Sequence, residues 1–170
     1  MKILETDRLI LRQLSTKDAA FILELVNEPS FIQNIGDRGV RTLEDACAYI
    51  LRVAISSYEK NGFGLYLVEL KDLGQSIGMC GLIKRDGLED VDIGYAFLPR
   101  FWLKGYAVEA AAAVKDYARD VLGLKRLVAI TDPANQGSIR VLEKIGLKYE
   151  KMVRLSADDI ELKLFAADAL

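Results

Sequence analysis

The sequence predicts a mixed α/β (α+β) fold: a mostly antiparallel sheet flanked by helices, in a single domain spanning residues 1–170. Three observations predict it. Strand and helix patterns follow one another in the order β-α-α-β-β-β-α-β-α-β-β, which lacks the strict alternation of a doubly wound fold. Two apolar, β-branched runs, 63–70 and 76–84, are joined by Lys71-Asp72-Leu73-Gly74, a hairpin signature. The chain has 170 residues, 51% hydrophobic and 28% charged, which is the size and composition of one well-buried globular unit.

Each element has its own signal. Residues 8–14 read as a first strand. Ser15 precedes Asp18 by three, a capping box with a short acid, and opens a helix over about 16–27 that stops before Pro29. Thr42 and Asp45 repeat the signal. Their helix carries Ala46, Ile50, Val53, Ala54 and Tyr58 on one face and ends at Gly62. Asp86-Gly87 supplies a turn into the strand 90–98. There Val91, Ile93, Tyr95 and Phe97 share one face, and Asp92, Gly94, Ala96 and Leu98 the other.

The clearest helix follows Pro99. Ala107, Ala110, Ala111, Val114, Tyr117, Ala118 and Val121 keep the i, i+3, i+4, i+7 pattern, and Gly123 marks the stop. A strand over 125–131, a short helix from Asn135 to Ile145 ended by Gly146, and a last strand pair over 147–155 and 160–166 complete the chain.

Composition removes several function classes. The 23 basic and 25 acidic residues give a net charge of −2, which disfavours a nucleic-acid partner. With no histidine, histidine triads, histidine zinc sites and histidine haem ligation are excluded. Cys47 and Cys80 form no CxxC pair and are expected to act as small apolar residues in a reducing compartment. No apolar run reaches the roughly 18–20 residues of a membrane span. The opening Met1-Lys2-Ile3-Leu4-Glu5-Thr6-Asp7-Arg8 is charged where a signal peptide is apolar. A soluble cytoplasmic protein without membrane partners is the expectation.

Three segments can carry chemistry. Trp102-Leu103-Lys104-Gly105-Tyr106-Ala107-Val108-Glu109-Ala110 joins a strand to the long helix. Unpaired N–H groups at such a helix start favour an anion, Gly105 permits close approach, and Lys104 and Arg100 add positive charge. An ordinary strand-to-helix turn explains the glycine as well. No Gly-Lys-Ser/Thr and no GxGxxG pattern is present. In the strand 90–98, Gly94 and Ala96 leave a low ridge beside Asp92, although thinning for a packed helix explains the ridge more plainly. In the third segment, Asn135 is a good N-cap and Gly146 a good stop.

Together these segments resemble a known family. Asp92-Ile93-Gly94-Tyr95, then Gly105-Tyr106-Ala107-x-Glu109-Ala110, then Asn135-x-x-Ser138-Ile139-Arg140-x-Leu142-x-Lys144-x-Gly146 are similar to the GNAT N-acetyltransferases. The opening Glu5-Thr6-Asp7-Arg8-Leu9-Ile10-Leu11-Arg12 resembles the branch of ribosomal-protein N-terminal acetyltransferases, the RimJ/RimL type. The likeness runs from about Glu5 to the C-terminus. It implies that the fourth and fifth strands, 90–98 and 125–131, splay apart around acetyl-CoA. The pantetheine arm would pair with the backbone of Ala96, Phe97 and Leu98. The pyrophosphate would rest on N–H groups of Leu103, Lys104, Gly105, Tyr106, Ala107 and Val108. Asn135 and Ser138 match positions that face the pantetheine and the thiol, and no metal is implied. Two departures stand out: Leu103 occupies the usual place of a glycine, and Leu142 that of a tyrosine general acid in many relatives.

The implied reaction is direct attack of an amine on the thioester, so a base must take a proton and the leaving thiolate needs a donor. Ser138 is the expected thiol partner, Asp92 the first candidate base and Glu69 the second. For both carboxylates a solvated or salt-bridged strand residue is the plainer explanation. The Phe97 N–H is the expected oxyanion donor, and Tyr95 reads as core. The acceptor would be a primary amine, a protein N-terminus or a small molecule, with residues 34–41 near its pocket. A homodimer is allowed. Leu103 and Leu142 keep open a degenerate acyl-CoA-binding or sensor module, and a purely structural or partner-binding domain also stays open.

Overall fold

In the computed structural model, which describes residues 1–170, eight strands form one sheet. They are β1 (Lys2–Glu5), β2 (Leu9–Gln13), β3 (Leu65–Leu70), β4 (Ser76–Ile83), β5 (Asp92–Phe97), β6 (Arg126–Thr131), β7 (Lys148–Val153) and β8 (Leu162–Asp168). Their order is β1-β2-β3-β4-β5-β6-β8-β7. Every neighbouring pair is antiparallel except β5 and β6, which run parallel.

The parallel pair is the fault line of the sheet. β4 and β5 stay in register for the length of β5, whereas β5 and β6 share only the pair Asp92–Val128. The Val128 N–H donates to the Val91 carbonyl at 3.1 Å, and beyond that point the strands diverge. These are the expected fourth and fifth strands, renumbered because β1 precedes the first strand predicted.

Helices cover both faces. The N-terminal set is α1 (Ala19–Val26), α2 (Pro29–Asn34), α3 (Leu43–Tyr49) and α4 (Ser56–Asn61). Ile22, Leu25, Phe31 and Ala46 of this set, with Ile50 and Ala54 from the segment between α3 and α4, pack on Leu65, Leu67, Met79 and Leu98. On the other face lie α5 (Tyr106–Asp120) and α6 (Gln136–Lys144). Ala110, Ala111, Val114 and Ala118 of α5 and Ile139 and Leu142 of α6 pack on Val68, Cys80, Ile93, Phe97, Leu127 and Phe165. Both cysteines are free, and no helix is long and apolar enough to cross a membrane.

The start signals hold. Asp18 Oδ2 accepts from the Ser15 N–H at 2.9 Å, and Thr42 Oγ1 accepts from the Asp45 N–H at 3.0 Å. The first of these opens a short 3₁₀ turn over Thr16–Asp18, and α1 begins only at Ala19. Between α3 and α4 the chain passes through a wider π-type stretch, Ile50–Ile55. Ala46, Ile50, Ala54 and Tyr58 are spaced by four residues, and a turn wider than 3.6 residues keeps such a row on one face.

Three expectations are corrected. Strand β1 has only four residues, too few to show a period, and the sequence reading missed it. Pro29 does not merely end a helix but opens α2 at its first turn, where a missing N–H costs nothing. Val121, expected on the buried face of α5, is exposed because the helix ends at Asp120.

Candidate active site

The divergence of β5 from β6 opens a cleft of about 990 Å³. One wall is β5, the opposite wall is β6 with the start of α6, and the loop into α5 closes one end. Asn34 at the end of α2 and the following loop residues Ile35, Gly36 and Arg38 also line the cleft, with Tyr49, Arg85 and Asp92.

The β5 wall presents backbone. The Leu98 N–H donates to the Ile77 carbonyl at 3.0 Å, so Leu98 points its polar groups at β4. Strand alternation therefore turns Phe97 the other way, into the gap. The Phe97 carbonyl there accepts from the Trp102 indole at 2.8 Å. That leaves the Phe97 N–H directed into the cleft.

The loop into α5 presents more donors. Trp102 donates its N–H to Pro99, and the next amide with an acceptor is that of Glu109, bonded to the Gly105 carbonyl at 3.0 Å. The N–H groups of residues 103–108 donate to nothing in the protein. Gly105 makes this possible with φ +84°, a conformation that glycine adopts without a Cβ penalty. Leu103 also lies in the left-handed region, φ +62°, and its side chain is fully exposed. A glycine would suit that backbone better, and the departure noted in the sequence therefore has a conformational counterpart.

Ser138 and Asn135 stand on the opposite wall. Asn135 caps α6, its Oδ1 accepting from the Ser138 N–H at 3.2 Å. The Ser138 Oγ lies 3.0 Å from the Tyr95 hydroxyl, which also donates to the Ser138 carbonyl at 3.1 Å. Burial holds the Tyr95 phenol well above its usual range, so it stays protonated. Tyr95 packs against the core as expected, partly buried, and also lines the cleft. Its hydroxyl nonetheless reaches across the gap to the serine. The available signal was general: a buried phenol needs a hydrogen-bond partner.

Asp92 is 1% exposed and forms an ion pair with Arg85 Nε at 3.0 Å. Burial raises its carboxyl to about 6, against the opposing charge and hydrogen bond of Arg85. Such a group changes protonation near neutrality, as a general base must.

An open parallel seam, a ring of free amides at a helix start and a serine on the facing wall are the parts an acyl-CoA enzyme needs. The sequence pattern of the acetyltransferase (GNAT) domain matches residues 8–148. The chain belongs to the GNAT acetyltransferase family. It is 33% identical over 154 residues to an uncharacterized N-acetyltransferase, YoaA, of Bacillus subtilis strain 168, covering 89% of this chain and 86% of that one. Among solved structures it is similar to an acetyltransferase from Agrobacterium tumefaciens strain C58, with a TM-score of 0.83, 25% identity and coverage of 98% and 94% of the two chains. It shares its fold with RimL, the ribosomal L7/L12 α-N-protein acetyltransferase in complex with coenzyme A. There the TM-score is 0.83, the identity 19%, and the coverage 99% of this chain and 98% of that one.

Most of the residues predicted from the sequence converge on this GNAT cleft. Asp92, Ala96, Phe97, Leu103, Gly105, Tyr106, Ala107, Val108, Asn135 and Ser138 all line it. Three do not. Glu69 lies on β3, accepting from Arg12 Nε at 3.1 Å, away from the cleft. Leu98 is wholly buried with its N–H committed to Ile77 and its carbonyl to the Phe101 N–H at 2.9 Å, so its backbone is not offered to a ligand. The Lys104 side chain is exposed outside the cleft, and its carbonyl accepts from Arg8 at 3.0 Å. Leu142, at the position where many GNAT relatives carry tyrosine, is 1% exposed and packs in the core.

Proposed function

We propose that this GNAT enzyme moves an acetyl group from acetyl-CoA to a primary amine, a protein N-terminus or a small molecule, by direct attack. The observation that carries the reading is the seam between β5 and β6, registered only at Asp92–Val128 and lined by the unpaired amides of Phe97 and residues 103–108. These groups fit a slender, amide-bearing arm ending in a pyrophosphate. Acetyl-CoA supplies the activated thioester.

Each residue then has a task. The Phe97 N–H donates to the oxygen on which charge develops. Asp92 takes the proton of the incoming ammonium. Its side chain is buried, so a water molecule carries the proton between them. Ser138 donates to the departing thiolate and takes up in exchange the proton that the attacking nitrogen sheds as the amide forms, while the Tyr95 hydroxyl, 3.0 Å from its Oγ, holds the serine in place. Asn135 fixes the first turn of α6 and so the position of Ser138.

The direct test is an acetyl-transfer screen over small amines, antibiotics and peptides with varied N-termini, with release of the CoA thiol followed against each. Acceptor-dependent release is expected. Tight acetyl-CoA binding with no transfer to any acceptor would favour the non-catalytic binding module instead.

A further inference from the structure

The guanidinium of Arg8, just before β2, reaches about a hundred residues along the chain to the loop at the start of α5. Its Nε donates to Glu109 Oε1 at 2.7 Å and its Nη1 to the Lys104 carbonyl at 3.0 Å. Its Cζ sits 4.4 Å from the centre of the Tyr106 ring. A Cβ built on Gly105 would come within 3.2 Å of its Nη2. One side chain thus holds Lys104 of the loop and Tyr106 and Glu109 in the first turn of the helix, and runs past Gly105 between them.

Glu109 poses an electrostatic problem that this contact resolves. A carboxylate in the first turn of α5 stands behind amides that would receive a pyrophosphate, and it would repel that ligand. Both its oxygens are tied down. Oε1 accepts from Arg8 Nε, and Oε2 from the Arg8 N–H at 3.0 Å and from the Thr6 hydroxyl. Burial alone would raise its carboxyl, but the bonds from Thr6 and Arg8 outweigh burial and hold it below the ordinary range. Glu109 is therefore ionised, and its charge must be cancelled where it stands.

We infer that Arg8 is a positioning residue for the cofactor loop. It cancels the Glu109 charge and clamps residues 104–106, so that the free amides of 103–108 face a pyrophosphate. The inference rests on the reading of that loop as the pyrophosphate site, and neither residue is assigned to touch the ligand.

The test measures binding of CoA and of pantetheine, which lacks the phosphates, by calorimetry. Wild type is compared with Arg8→Ala, Arg8→Lys, Glu109→Gln and the double variant Arg8→Ala/Glu109→Gln. Arg8→Ala should weaken CoA about tenfold or more and leave pantetheine unchanged. Arg8→Lys, which keeps the charge without the fork, should recover part of that loss. The double variant should bind CoA better than Arg8→Ala, because the stranded carboxylate is gone. Glu109→Gln alone should bind CoA at least as well as wild type, and this variant keeps the inference testable if Arg8→Ala does not fold. Equal loss of CoA and pantetheine in a folded Arg8→Ala, or a double variant weaker than the single, overturns it. If wild type binds pantetheine as well as CoA, the pyrophosphate reading itself fails. If wild type prefers CoA and Arg8→Ala keeps that preference undiminished, only the role of Arg8 fails.

Discussion

The Tyr95 hydroxyl and the Ser138 Oγ lie 3.0 Å apart, joining the two walls of the cleft by a side-chain hydrogen bond. Because burial keeps that phenol protonated near neutral pH, it is a constant hydrogen-bond partner of the serine. Ser138→Ala is expected to lower kcat by about 10²-fold, the low end of general-acid assistance, with little change in acetyl-CoA affinity, since the thiolate forms only as the bond breaks. Tyr95→Phe should lower kcat about tenfold, and the double variant should fall no further than Ser138→Ala alone. Steady-state kinetics with an identified acceptor checks both. Full turnover in Ser138→Ala removes it from the mechanism.

Asp92 predicts a pH signature. With the folded carboxyl at about 6, kcat/KM should rise through an acid limb near that value and then level. Asp92→Asn should lose the limb, and its deficit should shrink at high pH as more amine is already neutral. Stability runs the opposite way. The folded group binds its proton more tightly than an unfolded aspartate, whose carboxyl titrates near 3.8, so its contribution is present below about 4 and is lost as pH rises through about 6. The full loss is on the order of 3 kcal/mol. Denaturant melts of wild type should therefore weaken across that window, and those of Asp92→Asn should stay flatter.

Leu103→Gly should leave the fold intact. The side chain is fully exposed, so no packing is lost, and the φ of +62° costs leucine about 1 kcal/mol that glycine does not incur. The greater freedom of glycine in the unfolded chain offsets a similar amount. Thermal stability is expected within about 1 kcal/mol of wild type, and acetyl-CoA affinity within about tenfold, ~1.4 kcal/mol. Abolished binding would show that the leucine side chain itself contacts the cofactor.

Gly78→Ala should damage the cleft from behind. A Cβ there would stand 2.4 Å from the Ala96 carbonyl oxygen and 2.6 Å from the Phe97 ring, so β5 must move. A destabilisation of about 1–3 kcal/mol is expected, the usual cost of overpacking. The CoA affinity of whatever remains folded should also fall. A wild-type Tm with wild-type affinity would show that β4 and β5 yield at no cost.

The parts of the fold with a long period or a cap were readable in the sequence. The apolar stripe of α5 and the caps at Ser15, Thr42 and Asn135 are local signals, and the structure keeps them. The two faces of the strand 90–98 were also legible, because alternation alone sends Ile93 and Phe97 toward α5 and Ala96 and Leu98 toward the N-terminal helices. What failed was not local. Four residues of β1 carry no period, and their pairing with β2 is a tertiary fact. Glu69 looked like any other strand carboxylate until Arg12 was seen to hold it. Leu98 lay in the expected register, but which neighbour its amide serves depends on β4. Arg8 and Tyr95 act on residues 101 and 43 positions away, a separation that no window along the chain can show.

A sheet broken at its centre cannot carry load from one outer edge to the other through its ladder. Across the β5–β6 seam, one registered pair stands where neighbouring strands share several. The other connections are the apolar face of α5, which packs into one core with both halves, and two side-chain contacts, Tyr95–Ser138 and Asp90–Arg126. The strands β1–β5 and the strands β6–β8 should therefore open as two separate cooperative units in native-state hydrogen exchange. A molecule filling the seam would weld them into one, and the slowest-exchanging amides of the smaller half would then report its arrival from a distance.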